Sequence, residues 1–449
     1  MTTRFEAPAL RHRPVRSRLH RPVRTAAVAG MAALGCLAAA VPASAGAAPA
    51  TSRLSVDSNG GQASEYRSEP FAASADGRYV AFTTAAPNLV PGDTNDTWDV
   101  LVRDRRTGTT SLISASRAGV PGDSSSYGQA MSPDGRYVSF TSDATNLVPG
   151  DTNGAYDGFV HDRRTGITSR VTLTGDGTQP DARSYAPAIS ADVRFVAFVS
   201  DATDVVPGDT NGVADIFLRD RRAGTTVLVS GAHADAPSDA PAISADGRYV
   251  AFTSAAALVP GDTNGVADVF WRDLRTGTLQ RVNVSATGAQ ATGLTVSPTM
   301  SADGRYVAFT SDAALVSGDT NGVADIFVRD LRAGTTVRVS VAADGAQAAG
   351  ASYAPMIGAD GRYVVFGSDA TNLVPGDTNG AADVFRRDLR TGTTVRVSLT
   401  ADNGQPDDAS YGGVLTGDGR SVAFASAATN LVPGDTNGVT DAFLHRLSN

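Results

Sequence analysis

Gly376-Asp-Thr-Asn-Gly-Ala-Ala-Asp-Val-Phe-Arg-Arg-Asp388 is the stretch that decides the fold, because near-copies of it occur seven times in the 449-residue chain. Successive copies begin 53–58 residues apart, and their first aspartates are Asp93, Asp151, Asp209, Asp262, Asp319, Asp377 and Asp435. A second stretch, Ser301–Phe309, keeps the same period and reads Ser-Ala-Asp-Gly-Arg-Tyr-Val-Ala-Phe. A fixed period of this length indicates one supersecondary unit repeated along the chain.

Each unit reads as four short strands joined by turns. In the clearest copy, Tyr306–Thr310 and Asp325–Arg329 alternate apolar with polar residues and are rich in β-branched and aromatic types. The shorter runs Ser297–Ser301 and Thr336–Val341 complete the set, and no segment shows helical periodicity. The Asp303-Gly304 pair predicts a tight turn between the first two strands.

The predicted fold is therefore all-β, a seven-bladed β-propeller formed by residues 49–449 as one domain. A linear β-solenoid is the alternative. The chain ends favour a closed ring, because Ser52–Val56 resembles a fourth strand while the last unit stops after its third strand. We expect that N-terminal strand to pair with Ala442–Leu447, which would close the ring, remove two bare edges and favour a monomer.

Residues 1–48 have the features of a signal peptide. Seven arginines precede the apolar run Thr25–Val41, and Ala-x-Ala patterns end at Ala45 and Ala47. We expect cleavage near Ala45 or Ala47 and a secreted, extracellular protein with no remaining membrane segment. The alternatives are a membrane span and a lipoprotein anchored at Cys36, the only cysteine. Without disulfides, the mature protein must be stabilised by packing or by metal.

The charge of the mature chain excludes some classes of partner. The sequence has no lysine, and beyond residue 48 the net charge is −14. This charge disfavours nucleic acid and anionic membranes.

The Asp-Gly-Arg-Tyr-Val-Ala-Phe stretch and the turn Asp388-Leu-Arg-Thr-Gly-Thr393 resemble the WD-like (PD) repeats of TolB-type propellers. The resemblance covers residues 51–449 and implies an exported protein that binds a partner. The same repeat is also used in the propeller domains of some peptidases. The chain departs from the pattern at Val193, where glycine is expected, and at Arg446, where the other units have aspartate.

The Asp-Thr-Asn stretches are candidate metal sites. Their oxygen-bearing side chains stand at positions 1, 3 and 7 of an irregular loop, a pattern that suits a structural Ca²⁺ ion. The alternative is that these side chains only form turns. The candidate ligands are Asp93, Asn95, Asp99, Asp151, Asn153, Asp157, Asp209, Asn211, Asp215, Asp262, Asn264, Asp268, Asp319, Asn321, Asp325, Asp377, Asn379, Asp383, Asp435, Asn437 and Asp441.

Four tyrosines are candidates for binding a partner. Tyr127, Tyr185, Tyr353 and Tyr411 recur seven residues before the aspartate of the Asp-Gly turn, which places them at the mouth of the central channel, on the face with the long loops. Tyrosine is enriched in binding hot spots. The acidic loops favour a protein or peptide partner with basic residues. The alternative is that each tyrosine only packs between blades.

No conventional catalytic set is visible in the sequence. The mature chain has three histidines, and two of them, His161 and His445, occupy positions where other units have arginine, so we expect them on the surface of a strand. His233, Asp235 and Asp239 form the one cluster that departs from the repeat. The sequence thus predicts a binding or scaffold protein that is not an enzyme. The alternatives are a carbohydrate-active lyase or hydrolase and a purely structural extracellular protein.

Overall fold

A computed structural model describes residues 51–231 and 234–447, and the regular elements in these ranges are β-strands. The predicted signal peptide and His233 lie outside the described residues. In the described ranges no helix is long and apolar enough to cross a membrane.

The strands form seven four-stranded antiparallel sheets, one for each repeat. Blade 1 contains β2 (Ser68–Ala73), β3 (Tyr79–Thr84), β4 (Asp99–Asp104) and β5 (Thr109–Leu112); blade 2 contains β6 (Ser126–Met131), β7 (Tyr137–Ser142), β8 (Asp157–Asp162) and β9 (Ile167–Arg170); blade 3 contains β10 (Ser184–Ile189), β11 (Phe195–Ser200), β12 (Asp215–Asp220) and β13 (Thr225–Leu228); blade 4 contains β14 (Ser238–Ile243), β15 (Tyr249–Ser254), β16 (Asp268–Asp273) and β17 (Leu279–Arg281); blade 5 contains β18 (Thr295–Met300), β19 (Tyr306–Ser311), β20 (Asp325–Asp330) and β21 (Thr335–Arg338); blade 6 contains β22 (Ser352–Ile357), β23 (Tyr363–Ser368), β24 (Asp383–Asp388) and β25 (Thr393–Arg396); blade 7 contains β26 (Ser410–Leu415), β27 (Ser421–Ser426), β28 (Asp441–Arg446) and β1 (Thr51–Arg53). The predicted seven-bladed propeller is confirmed.

The two repeated stretches build the core because they form the two middle strands of each blade. In blade 5, Phe309 pairs with Phe327 across the sheet, and the two rings stack with their centroids 5.9 Å apart. Both side chains are fully buried. Burial of an aromatic ring of this size contributes about 1.5–3 kcal/mol, so each repeat supplies its own core pair.

In blades 1 to 6 the same two stretches are joined by an ion pair on the face with the short turns. In blade 5, the Asp303 carboxylate accepts hydrogen bonds from the Ser301 hydroxyl and the Arg305 backbone N–H, while Gly304 takes φ = 73°. The Arg305 guanidinium then contacts the carboxylate of Asp330 at 2.6 Å. At the equivalent turn of blade 3, Val193 takes the same positive φ, 58°, which is unusual for a β-branched residue.

The ring closes through the N-terminal strand, as the sequence predicts. Strand β1 pairs antiparallel with β28, and Thr51, Ser52 and Arg53 lie opposite His445, Leu444 and Phe443. The pairing is shorter than predicted, because beyond Arg53 the regular ladder ends. The backbone N–H groups of Leu54 and Ser55 both donate to the Ala442 carbonyl, at 2.7 and 3.4 Å. Leu54 is buried in the core between blades 7 and 1.

His161 and His445 are buried, so the prediction that they lie on the surface is wrong. Their exposed fractions are 7% and 2%. Each ring bonds a threonine hydroxyl through Nδ1, His161 to Thr168 at 2.9 Å and His445 to Thr51 at 2.8 Å. The alternation of side chains along the strand directs both histidines toward the neighbouring blade. The other units have arginine at this position, and a histidine ring fits there as well.

Acid is therefore expected to weaken the fold. Burial lowers the pKa of His161 and His445 to about 4, while the unfolded value is about 6.5. The unfolded chain binds more protons at these two histidines between these values, so their contribution to stability is complete above pH ~6.5 and is lost as the pH drops toward ~4. The melting temperature, measured from pH 8 to pH 4, should fall in this window. The double variant His161→Gln/His445→Gln should flatten the fall, and an unchanged slope would contradict this explanation.

Candidate functional site

The first strand of every blade lines a central channel. Strands β2, β6, β10, β14, β18, β22 and β26 are each adjacent to the next around the ring. They enclose a cavity of about 420 Å³. One lining residue from each blade is Pro70, Gln129, Ala188, Pro241, Thr299, Pro355 and Val414. None of these seven side chains is an acid or a base.

The inner strands are bent close to the mouth of the channel. Each pairs with its neighbour through a register shift, as between Tyr185 and Ala188 in blade 3. Ala186, Ala240, Ser297 and Ala354, all within these bulges, have φ values of 50–57°. Non-glycine residues in this left-handed region are strained, and such strain and bulges concentrate at functional sites. The bulge follows directly after the position of the predicted tyrosines.

An arc of aromatic side chains lies on the mouth at blades 1 to 3. The ring centroids of Trp98 and Tyr127 are 6.4 Å apart, and those of Tyr127 and Tyr156 are 6.5 Å apart. Trp98 and Tyr156 each stand directly before the third strand of their blade. The other blades have alanine or threonine at this position. They were not predicted from the sequence, although their departure from the repeat could have identified them.

Two arginines flank this arc, at a position that holds no charge in the other blades. The Arg67 guanidinium lies 5.3 Å from the Trp98 ring and pairs with Glu69 at 3.1 Å. The Arg183 guanidinium lies 5.3 Å from the Tyr185 ring and pairs with Asp201. We call the six residues Arg67, Trp98, Tyr127, Tyr156, Arg183 and Tyr185 the mouth arc.

Two cavities open between the blades of the mouth arc. One of about 340 Å³ is lined by Arg67, Trp98 and Tyr127, and one of about 280 Å³ by Tyr127, Tyr156, Arg183 and Tyr185. Tyr127 separates them and keeps 38% of its surface exposed. The structure thus gives Tyr127 and Tyr185 an accessible place at the mouth.

The other two predicted tyrosines lie on the opposite side of the ring. The Tyr353 hydroxyl donates to the Asp369 carboxylate at 3.2 Å, and the Tyr411 hydroxyl lies 3.3 Å from the Thr440 hydroxyl. Burial and the neighbouring Asp369 raise the pKa of Tyr353, and burial with Asp239 and Asp201 raises that of Tyr185. These phenols therefore remain neutral hydrogen-bonding groups near pH 7.

In five blades the Asp-Thr-Asn loop holds an arginine between its two aspartates. The guanidinium comes from the outer strand and contacts the carboxylates at positions 1 and 7 with N···O distances of 3.0–3.5 Å. The groups are Arg170 with Asp151 and Asp157, Arg281 with Asp262 and Asp268, Arg338 with Asp319 and Asp325, Arg396 with Asp377 and Asp383, and Arg53 with Asp435 and Asp441. An internal cation thus already lies between the two carboxylates of each pair.

The asparagine at position 3 serves the turn in all seven loops. Its side-chain oxygen accepts the backbone N–H two residues later at 3.0–3.4 Å. This is the local bonding that the turn hypothesis describes. Within residues 51–231 and 234–447, no three or more His, Cys, Asp or Glu side chains are grouped to hold a metal ion. Calcium binding by these loops remains a prediction.

The cluster that breaks the repeat in the sequence is only partly described. Asp239 lies on β14 at the mouth, where its charge helps to raise the pKa of Tyr185. Asp235 is exposed in the connection before β14. His233 falls outside the described residues, so the structure places two of the three side chains.

No protein-family model and no curated protein matches the chain. Among solved structures that resemble it, an oligogalacturonate lyase in complex with manganese is 14% identical, with a TM-score of 0.54 over 89% of this chain and 93% of the lyase. A prolyl endopeptidase structure is 13% identical, with a TM-score of 0.50 over 86% of this chain and 51% of the peptidase. A putative TolB from Agrobacterium tumefaciens is 14% identical, with a TM-score of 0.42 over 86% of this chain and all of that one. At these identities the likeness establishes the propeller fold alone.

This comparison corrects the prediction that the chain is not an enzyme. The prediction rested on the regularity of the repeats and on the lack of a histidine or cysteine set. Propellers of this fold nevertheless include a lyase and peptidases, so the fold does not separate binding from catalysis. The statement that one cluster alone departs from the repeat is also wrong, because Arg67, Trp98, Tyr156 and Arg183 depart from it together at another site.

Proposed function

We propose that the protein is a secreted propeller that recognises a protein or peptide with basic side chains at the mouth of its channel. The observation that carries this proposal is the mouth arc, a cluster of partly exposed aromatic side chains on rigid inner strands and on the loops beside them. Export is proposed from the arginine-rich, apolar and Ala-x-Ala pattern of residues 1–48.

Aromatic side chains at this place favour recognition. Tyrosine and tryptophan supply a large contact area, have few rotatable bonds and dominate binding hot spots. Trp98, Tyr127 and Tyr156 present ring faces side by side, 6.4 and 6.5 Å apart. Tyr127 also forms the wall between two cavities, which could each accept a side chain of the partner.

The charges around the mouth favour a cationic partner. Asp143 acts on the Tyr156 phenol, Asp239 on Tyr185, and Asp369 bonds Tyr353. The two arginines of the arc are already paired with Glu69 and Asp201. A lysine or arginine of the partner would thus meet both carboxylates and aromatic faces, and the latter add about 0.5–2 kcal/mol for each cation–π contact.

An oligosaccharide is the second candidate ligand. The row Trp98, Tyr127 and Tyr156 could stack against successive sugar rings, and the flanking Arg67 and Arg183 could bind carboxylates of an acidic sugar. The oligogalacturonate lyase that shares the fold acts on such a substrate. This candidate predicts binding to oligogalacturonate, and turnover if the site is catalytic.

Fluorescence can distinguish the two candidates, because the chain has only two tryptophans. Trp271 stacks on Tyr249, and its Nε1–H donates to the Gly304 carbonyl at 3.1 Å on the short-turn face. A Trp271→Phe variant therefore leaves Trp98 as the sole reporter at the mouth. We expect an arginine-rich hexapeptide to change its emission, with an affinity that falls as salt rises. A response to oligogalacturonate alone would overturn the protein-partner proposal.

Tyr127→Ala tests whether the arc binds the partner or only packs. The ring is partly exposed, so we expect the peptide affinity to fall by about 10–100-fold with little change in melting temperature. Val227→Ala, at an exposed apolar residue of an outer strand, is the matched control and should leave both unchanged. A large fall in melting temperature for Tyr127→Ala with unchanged affinity would contradict the binding role.

A further inference from the structure

The internal cation is missing from blade 1. The five arginines face a phenylalanine of the third strand in register, as Arg170 faces Phe159 and Arg338 faces Phe327. At the same register position of blade 1, Leu112 faces Leu101. Asp93 and Asp99 therefore form the same pair of carboxylates without the guanidinium that the other loops place between them.

The loop of blade 1 has three buried oxygens without a hydrogen-bond partner. They are Oδ1 of Asp93, Oγ1 of Thr97 and Oδ2 of Asp99. Asp99 is fully buried, and Asp93 is 9% exposed. The second oxygen of Asp99 accepts the Ser114 hydroxyl at 2.5 Å, which fixes the carboxylate in place. An unpaired buried carboxylate is costly, so such groups bind a cation or a proton.

Neutral donors have also been lost from this loop. In blade 2, the Gln179 amide donates to Asp151 at 2.9 Å and to Asp157 at 3.0 Å. In blade 4 the equivalent glutamine, Gln290, forms an isolated backbone bridge with Val284. In blade 1 the residue that forms this bridge, with Ala115, is Pro121. Proline has no side-chain donor. Blade 1 thus lacks both groups that neutralise or bond the carboxylates elsewhere.

The loop has gained oxygens at the same place. Asp96 and Thr97 stand where the other six loops have glycine and then alanine or valine. Asp96 takes φ = 51°, so the loop keeps the backbone shape that glycine gives the others. The loop that lacks the guanidinium thus has one more carboxylate than the other loops, with a hydroxyl next to it.

We infer that the loop of blade 1 binds one hard divalent cation, of the Ca²⁺ type, through Asp93, Asp99 and Thr97. The ion takes the place that the arginine side chain has in five of the other six blades. Oxygen ligands alone and an irregular loop match the preference of Ca²⁺, which fills its shell with backbone carbonyls and water where side chains are few. The site is independent of the ligand at the mouth.

Blade 3 also lacks the arginine, but we do not expect its loop to bind an ion. Leu228 takes the register position there, and Oδ1 of Asp209 has no partner. Both oxygens of Asp215 are engaged, because Asn211 donates to one at 2.6 Å and Ser230 to the other at 2.5 Å. Its loop also has Gly212 and Val213 in place of the added oxygens.

Terbium luminescence of the mature Trp271→Phe chain is a direct test, because Trp98 is next to Asp99 in the sequence and can sensitise a bound lanthanide. We expect Tb³⁺ to give sensitised emission that Ca²⁺ displaces, and equilibrium dialysis to show one Ca²⁺ per chain. The dissociation constant should lie near 10⁻⁴–10⁻³ M, as in extracellular modules. Calcium at 10 mM should raise the melting temperature by roughly 2–5 °C.

Leu112→Arg is the decisive variant, because it builds the arginine that five blades already contain. It should abolish the Tb³⁺ signal and the calcium-induced rise in melting temperature, while the protein in chelator becomes more stable. Leu228→Arg, the same change at the same register position of blade 3, should leave the signal unchanged. Asp99→Asn should weaken Ca²⁺ binding at least ~10-fold.

Two results would overturn the inference. The first is a melting temperature that is equal in chelator and in 10 mM calcium, with no Ca²⁺ retained in dialysis; the two carboxylates would then share a proton. The second is Ca²⁺ binding that survives Leu112→Arg, which would place the ion elsewhere.

Discussion

A chain that begins at Val56 should melt at least ~10 °C below the mature protein and should associate through its open edge. The deletion removes β1, which supplies the fourth strand of blade 7. It also removes Leu54 from the core and Arg53 from between Asp435 and Asp441. Loss of a buried leucine costs about 2–5 kcal/mol, and loss of one partner of a buried ion pair costs about 3–5 kcal/mol. The exposed edge of β28 is then free to pair with another chain.

Calorimetry and light scattering on two matched chains can check this expectation. The control begins at Thr51, which keeps every residue of β1 and removes only what precedes it. It should melt like the longest mature chain and remain in the same association state. If the chain beginning at Val56 behaves like this control, the ring does not depend on the N-terminal strand.

Arg338→Leu should destabilise the protein by about 3–5 kcal/mol at pH 7. The guanidinium lies 3.0 Å from Asp319 and 3.4 Å from Asp325, and the three side chains are at most 9% exposed. Its removal leaves two buried carboxylates that repel each other and have no cation. Leucine itself fits this register position, because Leu112 and Leu228 occupy it in other blades. The loss of stability should therefore come from the two carboxylates and not from the leucine.

Denaturant unfolding gives the free energy, and Arg332→Leu is the control. Arg332 is an exposed residue in the turn of the same blade, so its loss should change the free energy of unfolding by less than about 0.5 kcal/mol. Equal effects of the two substitutions would show that the buried pair is balanced by protons instead of arginine.

The blades could be predicted from the sequence because the signals for them are local. The Tyr-Val-Ala-Phe and Asp-Val-Phe stretches define the two middle strands within a few residues, and the structure extends them only to Ser311 and Asp330 in blade 5. The outer strand was predicted over Thr336–Val341 but forms Thr335–Arg338. Strand ends depend on where backbone bonds to neighbours stop, which local propensity does not specify.

The balance of charge in the loops could not be predicted in the same way. Arg338 is 13 residues after Asp325 and on another strand, and only the register of β20 and β21 brings the two together. The aspartates alone resemble a metal site whether or not an arginine reaches them. In contrast, Trp98 and Tyr156 could have been found by comparing the repeats, because they differ from the residues at the same position of the other loops.

The closure also determines the order of folding. Thr51 and His445 are 394 positions apart in the chain and bond each other in the last sheet to be completed. Blades 1 to 6 each form from neighbours in the sequence, but blade 7 cannot be completed until both ends of the chain are present. Contacts of such long range form late and slowly. Because synthesis begins at the N-terminus, we expect β1 to stay unpaired until the final strand is made, so that the open ring has two unpaired edges until then.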